Sequence, residues 1–381
     1  MRHAIILAAG QGKKIWPYNS TRQKAALPLA NRPLIGWQVE KCFNAGVEHI
    51  TIVVGYRKEQ VKDSLTGVEN ITFVEQQGWG TLDALLTAVQ NIDAERIIVL
   101  YGDVVLSYTD YSRFMNEQDD GAICSALVQP LGDQRPHDWI CADVKDEKIT
   151  AILGHPRDDV THRFCGMFSI SRAAFPYLTQ VTGAMESVQV GMMPPYERQF
   201  EDALALAIRN GETIQAIEPT GLFFDIDKPW HYLQASAGWN HYVCEKMTRS
   251  VIGRGAKISD GADISGELVL GENVEIGKGV IIEGNMVIGS GSAITQGALV
   301  EADCVIGEEC TVRRGCQIEK ESTIGPQSYI GHGAEVAGLF IRRGYAYHYG
   351  EFWGILGDNG DLGAATVCGN LRFDDQETIH Q

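Results

Sequence analysis

An open, mostly parallel α/β sheet followed by a left-handed parallel β-helix is the architecture this sequence predicts, and three features carry the prediction. Residues 1–230 alternate short apolar runs with amphipathic stretches, the rhythm of βαβ units. From Val251 the pattern changes, and an aliphatic side chain returns at every sixth position, fifteen times in succession from Ile252 to Val336. At 381 residues the chain is also longer than one ordinary core supports, so two domains are the default.

In the first part, strands are expected at residues 4–8, 49–54, 71–74 and 97–100, and helices at 34–45, 58–64 and 82–91. Ligands of such sheets bind beyond the carboxyl ends of the strands, which directs attention to the segments after Ala8, Val74 and Leu100. In the second part a small residue follows four places after most of the aliphatic ones, as at Ala256, Ser292 and Ala298, and a glycine often follows directly, as at Gly253, Gly289 and Gly325. A hexapeptide repeat of this kind stacks its aliphatic residues inside a triangular coil and turns its corners on small ones. Cys304, Cys310 and Cys316 fill the small inward position of successive hexads and are expected to pack, because thiols in apolar surroundings are inert. The phase fails after Val336 and resumes at Leu356 and Leu362, so a projecting loop is expected around residues 342–353. Residues 231–250 read as a helical connector, which gives a division into 1–230, 231–250 and 251–381.

Composition narrows the class. Hydrophobic residues make up 44% and charged residues 21%, and no apolar run approaches the roughly 20 residues that a membrane helix takes. The first apolar run passes straight into a glycine loop, so it reads as a buried strand and not as a signal peptide. The nine cysteines are scattered without a C-x-x-C pair, which suggests neither a disulfide framework nor a zinc ribbon and fits a reducing cytoplasm. A formal charge of −17 argues against a nucleic-acid partner. An acidic protein that handles anionic substrates needs a local basic patch and a divalent cation.

That basic patch is present. Leu7-Ala8-Ala9-Gly10-Gln11-Gly12 places a glycine turn at the end of the first strand, where bare backbone N–H groups can approach phosphates. Lys13, Lys14, Arg22 and Lys24 follow, with no acidic residue from Gly10 to Lys24.

The run from Leu7 to Pro17, with Gln23-Lys24-Ala25-Ala26-Leu27-Pro28 after it, resembles the opening of the sugar-1-phosphate nucleotidylyltransferases, L-A-A-G-x-G-[TS]-R-[ML]-x-P and then P-K-x-L-x-P. Gln76-Gln77-Gly78-Trp79-Gly80-Thr81 is similar to that family's base-reading segment, Tyr101-Gly102-Asp103 to its G-D block, and Phe224-Asp225-Ile226-Asp227-Lys228-Pro229 to its last aspartate block. The resemblance implies a Rossmann-like nucleotidyltransferase domain that joins a nucleoside triphosphate, UTP or dTTP, to a sugar 1-phosphate and releases pyrophosphate. It assigns nucleotide binding to Leu7, Ala8, Ala9, Gly10, Gly12, Gln76, Gly80, Thr81 and Gly102, acceptor binding to Gly166, and one Mg²⁺ to Asp103 and Asp225. Lys14 would face the leaving phosphates and Lys24 the attacking one. A side-by-side trimer is expected by the same resemblance.

The departures from the pattern are specific. Lys14 stands where the family has arginine, and Gln23 where it has proline. In the acceptor pocket Trp139-Ile140 replaces Y-G, Gly154-His155-Pro156 replaces E-K-P, and Phe164-Cys165-Gly166 replaces N-[AT]-G, so the glutamate and asparagine that would bind sugar hydroxyls are gone. Near the C-terminus, residues 357–375 resemble the acetyl-CoA block of bifunctional uridylyltransferase/acetyltransferases. There His348 is the candidate base, and His348 and Asn370 are the candidate residues of a second site. Asp361 replaces that block's first asparagine and the sequence stops at Gln381, so no acetyl transfer is expected. The competing readings are a nucleotide-binding regulatory paralogue and a β-helix acyltransferase.

Overall fold

The computed structural model describes residues 2–90, 92–156, 159–181 and 197–368, and the chain divides into two compact units. The first comprises Met1–Lys13, Arg22–Leu27 and Pro33–Asp225. Its centre is the strand His3–Ala8, whose alternate residues Ala4 and Ile6 face one apolar layer while Ile5 faces the other. It pairs in parallel with His49–Val54 on one side and Arg96–Tyr101 on the other. Ile71–Glu75 closes that edge, and helices Leu34–Asn44, Lys58–Asp63 and Thr81–Val89 lie close to their expected bounds.

Beyond Arg96–Tyr101 the sheet turns mostly antiparallel, although Ile214–Ile217 runs parallel to Cys124–Pro130. His162–Ser171 inserts next, antiparallel both to that strand and to Cys124–Pro130. Ile214–Ile217, Lys148–Gly154 and Ile140–Lys145 complete a nine-stranded sheet. Helices Thr81–Val89 and Phe200–Arg209 bury their apolar stripes on one face, and Leu34–Asn44, Lys58–Asp63 and Tyr108–Asn116 on the other, which leaves the strand ends open to ligands.

The second unit comprises Ile226–Gln381 together with two early segments, Lys14–Thr21 and Pro28–Arg32. The early segments are tied in by polar contacts: Tyr18 OH donates to the Ile355 carbonyl at 3.0 Å, Asn31 Nδ2 to Ile324 at 3.1 Å, and Tyr232 OH to Pro28 at 2.7 Å. Helix Pro229–Cys244 occupies the place of the connector. The hexads then form a parallel β-helix in which each residue stacks on the one eighteen later, as Ile252 on Leu270, Ile258 on Ile276 and Ile264 on Ile282. Cys304, Cys310 and Cys316 are buried in its core among the aliphatic ladder, where burial pushes their thiols up and keeps them protonated.

The loop expected around residues 342–353 does not exist. Tyr345–Ala346 and Glu351–Leu356 are further strands of the same coil. The reason lies in Glu335–Phe340, a single strand that pairs with Gln317 at one end and with Thr323 at the other, spanning what earlier coils use as a corner. Gly338 makes this possible at φ 97°, with the Gly354 carbonyl 2.3 Å from where a Cβ would lie. The shortcut removes two residues, so Tyr329 stacks on Tyr345 and Glu335 on Glu351 at a spacing of sixteen. The six-residue count fails while the coil continues. Among the described residues no helix is long and apolar enough to cross a membrane.

Candidate active site

The first strand ends against a second one. Gly102 donates its N–H to the Leu7 carbonyl at 2.9 Å, and a Cβ at 102 would sit 2.8 Å from that same oxygen. Only glycine lets the two strand ends approach this closely. Ala8, Ala9 and Gly10 continue from there, and Gly12 takes φ 58° to turn the loop. Gly102 and Asp103 form the turn between two strands, and the buried Gln38 side chain braces it, donating to the Tyr101 carbonyl at 2.8 Å and the Val104 carbonyl at 2.9 Å.

Lys24 reaches into this turn, its Nζ 2.7 Å from Asp103 Oδ2. It rides on the short turn Lys24–Ala26, which Gln23 caps by accepting from the Ala25 N–H while its amide donates to the Ala8 carbonyl at 2.8 Å. A proline in place of Gln23 could make neither bond. The departure from the family pattern therefore adds a tie between the lysine and the glycine loop. Asp225 joins the same place by register. Phe223–Asp225 runs antiparallel to Val104–Leu106 with Asp225 opposite Val104, one residue along from Asp103. The structure thus brings Leu7, Ala8, Gly102, Lys24, Asp103 and Asp225 together in the first unit.

Gln76, Gly80 and Thr81 form one closed loop after the strand Ile71–Glu75. Gln76 donates from its backbone to Val54 at 2.9 Å and from its side chain to the Gly80 carbonyl at 2.9 Å. Gly80 stands at φ 96°, with the Arg198 carbonyl 2.3 Å from where a Cβ would be. Thr81 opens the helix, and its hydroxyl accepts from the Phe200 N–H at 2.9 Å. Trp79 on this loop is 66% exposed, an aromatic face left to solvent.

In the segments that depart from the family pattern, Ile140 and Gly154 stand directly opposite each other in an antiparallel hairpin. Phe164 is buried and packs on Phe168 at 5.6 Å, which meets Tyr101 at 5.6 Å and Phe200 edge-on at 5.0 Å. The asparagine of the family pattern has become part of an aromatic core. Gly166 lies at the register shift between Phe164 and Phe168 with φ 68°, and a Cβ there would be 2.9 Å from Val104 Cγ1 and 3.1 Å from Tyr101 Cβ.

Two charged residues went unnoticed in the sequence. Arg163 is 5% exposed, between the rings of Trp139 at 4.2 Å and Phe223 at 4.7 Å. Burial lowers its pKa while the carboxylate of Asp225 acts the other way. Glu201 is 1% exposed and accepts from Tyr101 OH at 2.6 Å, and burial raises its carboxyl to about 7. The signal available for Arg163 was a cation at the head of the mostly apolar run Phe164–Phe168, and Glu201 offered none.

Lys14 belongs to the second unit, where its Nζ is 3.2 Å from Asp227 Oδ2 and its side chain is 59% exposed. His348 lies against Tyr347 in a tilted contact with centroids 3.9 Å apart and stacks on His332 at 4.8 Å, so its ring sits in an aromatic patch of the late coils. Asn370 lies outside the described residues.

Comparison with known proteins agrees with this geometry. The family described as nucleotidyl transferase matches residues 3–239, and the GMPPB C-terminal domain matches residues 246–344. The bifunctional protein GlmU of Methanococcus maripaludis is 29% identical over 274 residues, covering 70% of this chain and 59% of that protein. The UTP--glucose-1-phosphate uridylyltransferase AglF of Haloferax volcanii is 27% identical over 233 residues, 59% of this chain and 91% of that one. A solved UDP-glucose pyrophosphorylase complexed with UDP-glucose shares the fold, with a TM-score of 0.53 at 21% identity, covering 65% of this chain and all of that one. The chain spans about 60% of the length of the GlmU relatives it matches. With the match extending over most of the chain, this protein belongs to the nucleotidyl transferase family.

Proposed function

We propose that the chain transfers a nucleoside monophosphate from UTP or dTTP to a sugar 1-phosphate and releases pyrophosphate. The observation that supports this reading is the Lys24–Asp103 pair on the braced turn beside the glycine loop, with Asp225 next to it in register. In the reaction an acceptor phosphate oxygen forms a bond to the α-phosphorus while the bond to the pyrophosphate oxygen breaks. No covalent intermediate with the protein is required. The glycine loop offers backbone N–H groups to the nucleotide phosphates, Lys24 orients the attacking phosphate, and Lys14 is assigned to the leaving pyrophosphate on its sequence match.

Two carboxylates that arrive from separate strands are hard oxygen donors of the kind Mg²⁺ takes, and Asp103 and Asp225 would hold it. When bound, the ion supplies charge neutralisation at the phosphates. The remodelled pocket at Ile140, Gly154 and Phe164 supports an acceptor that offers fewer hydroxyls to side chains than a hexosamine phosphate does. A regulatory nucleotide-binding role is the second reading, favoured by the same replacements. The assembled form is proposed to be a trimer, which light scattering would test.

A pyrophosphate-release screen of sugar phosphates against each NTP with Mg²⁺ tests the function. Turnover with UTP or dTTP is the expected result. Nucleotide binding without pyrophosphate release for any acceptor would replace it with the regulatory reading.

A further inference from the structure

Helix Pro229–Cys244 lies along one corner of the β-helix, and the contacts repeat with the coil. Asn285 Nδ2 donates to the Cys244 carbonyl at 2.8 Å, His241 Nδ1 is 2.7 Å from Asp303 Oδ2, and Asn240 Nδ2 donates to the Glu321 carbonyl at 3.0 Å. Asn285, Asp303 and Glu321 are eighteen residues apart, so they hold the same corner position in successive coils. Asp303 and Glu321 both take left-handed backbone there, at φ 60° and 59°, and their N–H groups are fixed to the preceding coil at 3.0 and 2.9 Å. Their carboxylates are presented by a repeating scaffold and not by mobile loops.

We propose that His241, Asp303 and Glu321 form a binding site for a divalent transition-metal ion such as Zn²⁺, separate from the nucleotide site, that staples this helix to the β-helix. One ligand atom from each lies within 4.8 Å of the others. Tetrahedral coordination at about 2.1 Å sets its ligand atoms about 3.4 Å apart, so a modest adjustment closes the set. One imidazole with carboxylates is borderline-hard chemistry that suits zinc and discriminates against Mg²⁺, which prefers oxygen alone. The electrostatics favour a cation as well. Asp303, Glu321 and Glu245 surround a single imidazole, and the cation next to them is Lys246, 3.9 Å from Glu245.

Glu245 Oε2 is 3.5 Å from His241 Nε2, on the far side of the ring from Asp303. A carboxylate there orients the imidazole from behind and raises its basicity, the usual support for a metal-bound histidine.

The test uses the full chain freed of metal with a chelator. Zn²⁺ is titrated by calorimetry and Co²⁺ by its visible absorption, whose intensity distinguishes four-coordinate from octahedral geometry. The native chain should take up zinc with micromolar or tighter affinity, melt at a higher temperature with zinc, and show no competition from millimolar Mg²⁺. His241→Ala should remove one equivalent, Asp303→Asn should weaken it at least tenfold while preserving side-chain size, and Glu245→Gln should weaken it by about 10-fold or more. Asp103→Asn should leave this equivalent unchanged. No zinc uptake by the native chain, an isotherm unaffected by His241→Ala, or loss of the equivalent in Asp103→Asn would each overturn the proposal.

Discussion

The parallel and antiparallel halves of the first unit's sheet keep the family pattern to different degrees. At the ends of the parallel strands Leu7, Ala8, Gly102 and Asp103 keep the family residues, and a Cβ at Gly102 would lie 2.8 Å from the Leu7 carbonyl oxygen. Across the antiparallel half, Ile140 and Gly154 face each other where the family pattern has a glycine and a glutamate, and Phe164 lies in an aromatic core. The proposed function gives this contrast a reason. Phosphates are gripped by backbone N–H groups, so the residue that allows close approach cannot change without moving the chain. Hydroxyls are recognised by side chains, and a side chain can be exchanged while the strand stays in place.

The contrast breaks most sharply at the aspartates. If the parallel half is the working chemical centre, Asp103→Asn or Asp225→Asn should lower kcat by at least about a hundredfold with little change in melting temperature. Near-normal kcat with Mg²⁺ in either variant would remove that residue from the metal site. Lys14 should come next. A charge-assisted contact made chiefly to the leaving group is worth about 1.5–3 kcal/mol, so Lys14→Ala should cut kcat by roughly 10- to 100-fold and raise the KM for NTP less. Lys14→Arg should preserve activity, and an Ala variant with unchanged kcat would sever Lys14 from the mechanism.

Much of this was legible in the residues. Periodicity found the first strand, the early helices and the repeat, because each buries one face at a fixed spacing. The glycine loop and the G-D turn were legible from their resemblance to the family blocks, and at Gly102 the close Leu7 carbonyl gives the physical reason for the glycine. What the sequence hid depends on long-range pairing. Nothing near Gln23 says that its amide meets Ala8, nor near Gln38 that it braces the turn at Asp103. Arg163 could not be placed between Trp139 and Phe223 from a strand whose neighbours come from distant segments. The false loop at residues 342–353 arose because counting by six cannot register a corner that one strand crosses with two fewer residues.

Gly166 couples the two halves and offers a milder probe. At φ 68° with Val104 and Tyr101 against its open face, Gly166→Ala should destabilise the fold by about 1–3 kcal/mol and lower turnover severalfold by moving the Asp103 turn. A variant with wild-type melting and wild-type KM for the acceptor would show that this contact is not transmitted.

The smallest effect on turnover, and the most specific in pH, concerns Glu201. Its carboxyl is raised to about 7 from the ordinary value of 4.5, first by burial, while the Tyr101 hydrogen bond opposes the shift. A carboxyl with a raised folded pKa keeps its proton in the folded state while the unfolded chain has lost it. Folded protein therefore binds more protons between pH 4.5 and 7, and stability falls as pH rises through that window before levelling off above it. The total is bounded by about 3 kcal/mol, at roughly 1.4 kcal/mol per unit of pKa. Glu201→Gln presents a neutral group of the same size to Tyr101, so it should abolish this part of the slope, match the native chain near pH 4.5 and exceed its stability at pH 8. Denaturant midpoints measured across that range check the prediction, and an unchanged slope in the Gln variant would mean that Glu201 is ionised in the folded protein throughout.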